Sequence, residues 1–231
     1  MMTAPANSIF HHVADADRER ILAAAEPRVL KAREVLAQQG DPATTFHVVQ
    51  LGHLKLTKVS PDGHEIVVRF VGPGEPFAAV VAVGAAAYPV SATAVEPTRT
   101  LGWSREALAT LLTEFPQLRT NIVGQIAQHM SDALTRVQEI STARVEQRVA
   151  RALLRLAEHG GQRTTAGVEI AHPLTRQELA DLVSTTLFTV SRLLARWEER
   201  GLIASRHTHI TLVKARDLAA LAETPAEDDA H

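Results

Sequence analysis

The sequence has 231 residues, 45% of them hydrophobic, no cysteine, and a formal net charge of −2. That length fits one large or two small domains with a proper core. The missing cysteines exclude disulfides, thiol nucleophiles, cysteine-ligated zinc and any cysteine-held iron–sulfur cluster together.

The opening "MMTAPANSIF" lacks a basic region followed by a long apolar stretch, so no signal peptide is expected. No apolar run approaches the length of a membrane span, and a cytoplasmic protein without membrane contact is predicted. Charge is unevenly spread. Residues 146–216 carry 11 Lys/Arg against 7 Asp/Glu, and residues 217–231 carry none against 5. A basic segment in a neutral chain is a mild pointer to a polyanion, and equally the mark of an ordinary solvated surface.

Residues 15–25 read as a short helix. From about 28 to 103 short β-rich runs alternate with turns: "RVLKAREVLAQ", "FHVVQLGHLKLTKV", "HEIVVRFV", "VSATAVE" and "RTLGW". The turns fall at Gly40-Asp41-Pro42, Gly52, Ser60-Pro61-Asp62-Gly63 and Gly72-Pro73-Gly74. Several short strands at close spacing predict an antiparallel barrel or sandwich. A long helix follows, with Pro116 suited to its first turn. Ile126, Met130, Ala133, Val137 and Ile140 recur at alternating spacings of four and three, which predicts a coiled-coil seam for a second copy of the chain. The alternative is a helix packed on its own domain. "VEQRVARALLRLAEHGG" reads as a further helix stopped by Gly160-Gly161.

Thr175 and Glu178 form a T-x-x-E capping box that starts a helix at "TRQELADLV". Ser184-Thr185-Thr186 breaks it, Thr185 is expected to cap the next helix, and Gly201 to stop that one. Ala180 lets the two helices cross closely, with Leu179, Val183, Val190 and Leu193 between them. That is the spacing of a helix-turn-helix. On a helical wheel Val190, Leu193, Leu194 and Trp197 share one face. Thr185, Phe188, Arg192, Ala195 and Glu199 share the opposite face, flanked by Ser191 and Arg196. In a helix-turn-helix the outer face enters the major groove, where Arg192 can donate twice to guanine O6 and N7 and Phe188 can touch a thymine methyl. The alternatives are a phosphate contact for Arg192 and packing against a neighbouring domain for Phe188. Arg176 and Gln177 are placed for phosphates. "SRHTHITLVKA" alternates like a β hairpin, with His207 and His209 on one side; a wing beside the phosphates is the favoured reading over a metal pair. The tail "AEDDAH" is expected to be solvated chain.

A β-rich domain, a long helix and a winged helix-turn-helix resemble the CRP/FNR family of bacterial transcription regulators over nearly the whole chain. The most specific stretch is "LTRQELADLVSTTLFTVSRLLARWEERGLI", supported by "VLAQQGD", "SPDGHEIVVRFVGPGEPF" and "VSATAVEPTRTLGW". The resemblance implies an α+β chain: a cyclic-nucleotide-binding-type β-roll over residues 1–115, a dimerisation helix over 116–141, and a winged helix-turn-helix with an acidic tail over 142–231. It implies a homodimer on palindromic double-stranded DNA, acting on RNA polymerase, and not an enzyme.

The departures from the family pattern bear on the effector. Members that bind cyclic AMP carry a Glu for the ribose and an Arg for the cyclic phosphate; the matching positions here are Ala79 and Val90. The hydroxyl pair that meets adenine is replaced by Ala133 and Leu134, and only Ser91 remains. Cyclic AMP is therefore not expected as effector. The oxygen-sensing branch needs cysteines, and its recognition helix carries a Glu where Phe188 stands. "SIFHHV" and "AAYPVSATAVEP" resemble the nitrate-respiration regulators that sense nitric oxide through haem. That makes His11, His12 or His129 candidate axial ligands, beside an apolar effector pocket of Phe77, Val80, Tyr88, Val90 and Leu134. Two further readings stand beside it: a regulator with no effector, and a β-domain metalloenzyme using His47, His53 and His64.

Overall fold

The computed structural model describes residues 9–223. They divide into two compact units on either side of the Asp132–Ala133 bond.

In the first unit, helix α1 (Asp15–Ala23) leads into β1 (Glu26–Leu30), β2 (Val35–Ala37), β3 (Thr45–Leu51), β4 (Leu54–Val59), β5 (Glu65–Val71) and β6 (Pro76–Phe77). A 3-10 turn follows at Ala79–Val83, then β7 (Ser91–Ala94) and β8 (Thr98–Ser104). The strands form two antiparallel four-stranded sheets, ordered β1-β8-β3-β6 and β2-β7-β4-β5. Phe46, Leu54, Val71, Ala92 and Trp103 from the two sheets meet in one core, and β3 buries four consecutive residues, Phe46 to Val49. Trp103 is fully buried and donates its indole N–H to the Ile21 carbonyl at 2.8 Å, which ties α1 to the sheet. The β3–β4 turn requires glycine. Gly52 has φ +76°, and a Cβ there would lie 2.6 Å from the Pro97 carbonyl oxygen. The run "FHVVQLGHLKLTKV" is thus two strands, divided at the glycine that marked the turn. Helix α2 (Arg105–Glu114), which the strand-and-turn reading passed over, is capped by Ser104 and buries Leu108, Leu111 and Leu112.

Helix α3 runs Pro116–Thr142, with proline at its first position. Its two ends face different surroundings. Leu118 and Ile122 are buried in the β-domain core and Ile126 packs against it. Met130, Leu134 and Val137 are 63%, 64% and 62% exposed, and Ile140 is also exposed. Two assignments change accordingly. Ile126 continues the inward ridge of Phe115, Leu118 and Ile122 and turns toward its own domain, because that ridge began before the window in which the seam was sought. Leu134 lies on the exposed stripe with Met130 and Val137.

In the second unit α4 (Val145–Gly160) is followed by β9 (Gln162–Thr164), β10 (Gly167–Glu169), α5 (Arg176–Leu182), α6 (Leu187–Glu199), β11 (Ile203–Arg206), β12 (His209–Leu212) and α7 (Ala215–Glu223). The wing is larger than a hairpin. Its strands form a four-stranded sheet ordered β11-β12-β10-β9. The short β9–β10 pair and α7 were not anticipated, since three-residue strands and a nine-residue helix carry little periodicity. Arg155 fixes the end of α3 to α4 with two bonds to the buried Glu139 carboxylate, at 2.7 and 3.0 Å. Arg151 donates to the Ala222 carbonyl at 2.8 Å and so holds α7 on α4. The stretch "AEDDAH" lies outside the described residues.

Candidate nucleic-acid interface

The first helix of the pair starts as its capping box requires. Thr175 Oγ1 accepts from the Glu178 N–H at 3.1 Å, and Glu178 Oε2 accepts from the Thr175 N–H at 2.9 Å. Helix α5 ends at Val183, and the chain reverses at Ser184 with φ +54°. The second helix is capped one residue later than expected. Thr186, not Thr185, accepts from the Thr189 N–H at 3.2 Å. Thr185 remains in the turn, donating its N–H to the Ala180 carbonyl at 3.0 Å. The reason is the positive φ at Ser184, which uses one more residue before extended geometry is regained for the cap.

Leu179, Ala180, Val183, Val190, Leu193, Leu194 and Trp197 are all buried. Ala180 has no exposed surface, consistent with its place at the crossing of α5 and α6. That contact orients the opposite face outward. Phe188 is 68% exposed, and Arg192, Ala195 and Glu199 are exposed as well. The Arg192 guanidinium carbon sits 5.4 Å from the Phe188 ring centroid. Ser191 is half-buried on the flank. Arg196 is exposed, and its guanidinium pairs with Glu146 at 3.2 Å; the same carboxylate oxygen accepts the Trp197 indole N–H at 3.1 Å. Arg176 is exposed at the start of α5, and Gln177 donates to Asp181 at 2.7 Å.

Two supporting groups were missed. Arg148 on α4 donates to the Ser184 carbonyl at 3.2 Å and the Ile140 carbonyl at 3.1 Å, bracing the turn between α5 and α6. Glu146 is the other. Neither is marked by local spacing, because Ser184 lies 36 residues from Arg148 and Arg196 lies 50 from Glu146. The contact between Phe188 and Arg192 was legible, being four residues apart on one helix.

The wing corrects the histidine pairing. Arg206 pairs with His209 across the hairpin, which leaves His207 in the turn with φ +58°. His207 and His209 therefore do not share a strand face. His209 Nδ1 instead lies 3.2 Å from the Glu169 carboxylate.

Two family models cover most of the described chain: a Crp-like helix-turn-helix domain over residues 147–223 and a cyclic nucleotide-binding domain over residues 27–115. The chain belongs to the CRP/FNR family of transcriptional regulators. It is 28% identical to the transcriptional activator protein anr of Pseudomonas aeruginosa, over 84% of this chain and 80% of that protein. It is 25% identical to a CRP-like cAMP-activated global transcriptional regulator of Mycobacterium tuberculosis, over 78% of this chain and 81% of that protein. In fold it is similar to FixK2 of Bradyrhizobium japonicum, with a TM-score of 0.77 at 22% identity, covering 87% of this chain and 99% of that one.

The CRP/FNR assignment makes the β domain the place to look for an effector. Ala79 opens the 3-10 turn and is half-buried, as is Val90, which packs against the core. Ser91 Oγ accepts from the Gln39 N–H at 3.0 Å. Arg105 donates through one nitrogen to the carbonyls of Ala43 and Ala85. Phe77 and Tyr88 are buried and stacked, 5.8 Å between centroids, and the Tyr88 hydroxyl is bonded to the Thr45 backbone. Val80 is half-buried beside them in sequence. Leu134 belongs to the second unit and is exposed there.

The haem-ligand candidates are not gathered around a cavity. His11 and His12 are exposed, with rings 3.8 Å apart, and the His11 carbonyl accepts from Asn121 at 2.7 Å. His129 is half-buried on α3.

His47, His53 and His64 do not converge on a metal. Burial, reinforced by the Arg28 charge, pushes the His47 pKa down to about 4, and its Nδ1 lies 3.4 Å from Thr100 Oγ1. His53 Nδ1 pairs with Glu96 at 2.7 Å, and His64 is exposed beside Asp62. Among the described residues no group of three or more His, Cys, Asp or Glu is placed to hold a metal ion. Nor, among them, is any helix long and apolar enough to cross a membrane.

Proposed function

We propose that this CRP/FNR regulator works as a homodimer on a palindromic DNA site, with α6 of each copy in the major groove. The observation that carries the reading is the division of α6 into a sealed ridge ending in Trp197 and an outer face on which Arg192 and Phe188 stand exposed. Arg192 donates to guanine, Phe188 contacts a thymine methyl, Ser191 and Thr185 lie at the margins, and Arg176 and Gln177 meet phosphates. Arg196 is assigned to holding α6 against Glu146. The exposed stripe of Met130, Ala133, Leu134, Val137 and Ile140 on α3 is the surface assigned to the second copy, since two-fold DNA sites call for a two-fold protein. RNA polymerase is the downstream partner and the cytoplasm the compartment that this function requires.

The same reading holds that the β domain has given up the cyclic AMP contacts. Ala79 and Val90 offer no hydrogen bond or charge where the family places a Glu and an Arg. A cyclic phosphate buried there without a cation would cost several kcal/mol, roughly.

Selection of bound duplexes from a random pool tests the first claim. A palindrome with half-sites centred about 34 Å apart is the expected product; enrichment of unpaired half-sites would count against the dimer. Calorimetry tests the second, and a micromolar affinity for cyclic AMP would overturn it.

A further inference from the structure

The outer face of α6 carries two arginines held by different means. Arg196 is tied to a carboxylate at 3.2 Å through one terminal nitrogen, which engages one of its edge donors. Arg192 is exposed, and the neighbour fixed beside it is the face of Phe188, 5.4 Å from ring centroid to guanidinium carbon. The two holds have opposite consequences for base recognition. A carboxylate competes with a base for the edge donors of a guanidinium. An aromatic ring attracts the cation through its quadrupole and leaves the edge N–H groups free. It also removes rotamers that an exposed arginine would otherwise lose on binding.

From this we infer that Phe188 is a positioning residue for Arg192, aiming its fork before DNA arrives. The inference rests on α6 being the recognition helix. Phe188 lies one turn ahead of Arg192, on the first turn of a helix anchored by the Thr186 cap and by the buried Val190 and Leu194. The ring is thus fixed at its base while most of its surface meets solvent. Stability alone does not account for an apolar ring there, since it contributes nothing to the sealed ridge.

The test uses the full chain and a duplex selected from a random pool, a set of duplexes altered one base pair at a time, and a random-sequence duplex. Dissociation constants are measured for the wild type, Phe188→Leu, Phe188→Tyr, Arg192→Ala and the double variant Phe188→Leu/Arg192→Ala. Leucine keeps the apolar volume without the quadrupole; tyrosine keeps the ring. Phe188→Leu is expected to lose roughly 2- to 30-fold discrimination at the one base pair where Arg192→Ala also loses it, with unchanged affinity for random DNA. Phe188→Tyr should retain that discrimination, and in the Arg192→Ala background the leucine change should add nothing at that base pair. Independent, multiplying effects of the two single variants at that base pair would overturn the positioning role, as would a tyrosine variant no better there than leucine. If Arg192→Ala weakens selected and random duplexes alike, the recognition-helix reading itself falls, and the role of Phe188 with it.

Discussion

His47 of the first unit and Arg192 of the second are ionisable groups in opposite surroundings. The β domain takes a histidine into its core: His47 is buried on β3, stacked near Phe77, and kept neutral by its surroundings. In the helix-turn-helix unit two arginines of the candidate interface face outward. Arg192 and Arg176 are exposed, while a wholly apolar ridge holds the helix that carries Arg192. A buried ionisable group responds to pH through stability, because folding changes its proton affinity. An exposed one acts on a partner and leaves the fold nearly untouched. The two regions should therefore fail differently when altered.

The largest effect belongs to the ridge. Trp197→Ala removes a fully buried side chain and leaves Glu146 with Arg196 alone. It should cost about 3–5 kcal/mol of stability in the second unit, measured by hydrogen exchange in α6, with little change in the β sheets. If the β sheets lose protection equally, the two units do not respond separately.

His47 should give a pH-dependent effect of similar size. Its folded pKa of about 4 lies below the ordinary 6.5. The unfolded chain therefore binds the extra proton first as the pH falls. Stability is unaffected above about pH 6.5 and declines between there and about pH 4, by roughly 3 kcal/mol when that shift is converted by linkage. The difference between wild type and His47→Gln, followed by exchange in β3 and β8, should show this slope. A difference constant from pH 7 to 4 would refute it.

Arg192→Ala should leave thermal unfolding unchanged and cost about 1–3 kcal/mol on the selected duplex. Smallest is Arg176→Ala: specific and random DNA should weaken similarly, with the salt slope reduced by about one. A base-specific loss there would move Arg176 from the phosphates to the groove.

Much of the second unit was readable from local pattern. The capping box of Thr175 and Glu178 acts between residues three apart, and the Val190–Trp197 ridge follows from helical periodicity, so neither needs knowledge of the rest of the chain. Where a contact joins distant segments, pattern was silent or misleading. The pairing of Arg196 with Glu146 left no local mark, since the two lie 50 residues apart. Ile126 was placed in the seam because its place on the β-domain core is invisible without that core. The H-x-H pair looked like one strand face because alternation does not reveal that His207 occupies the turn.

The β-rich first part, the long helix, the helix-turn-helix pair, the family resemblance and the outward placement of Phe188 and Arg192 were determined by the sequence itself, since they depend on periods of two and 3.6 residues and on capping chemistry a few residues long. The tertiary structure alone decided which arginine on α6 lies over Phe188 and which pairs with Glu146, where α3 changes from core to exposed stripe, and that His47 stays neutral. Each of these depends on burial and on partners brought together by folding, and neither leaves a mark on neighbouring letters of the chain.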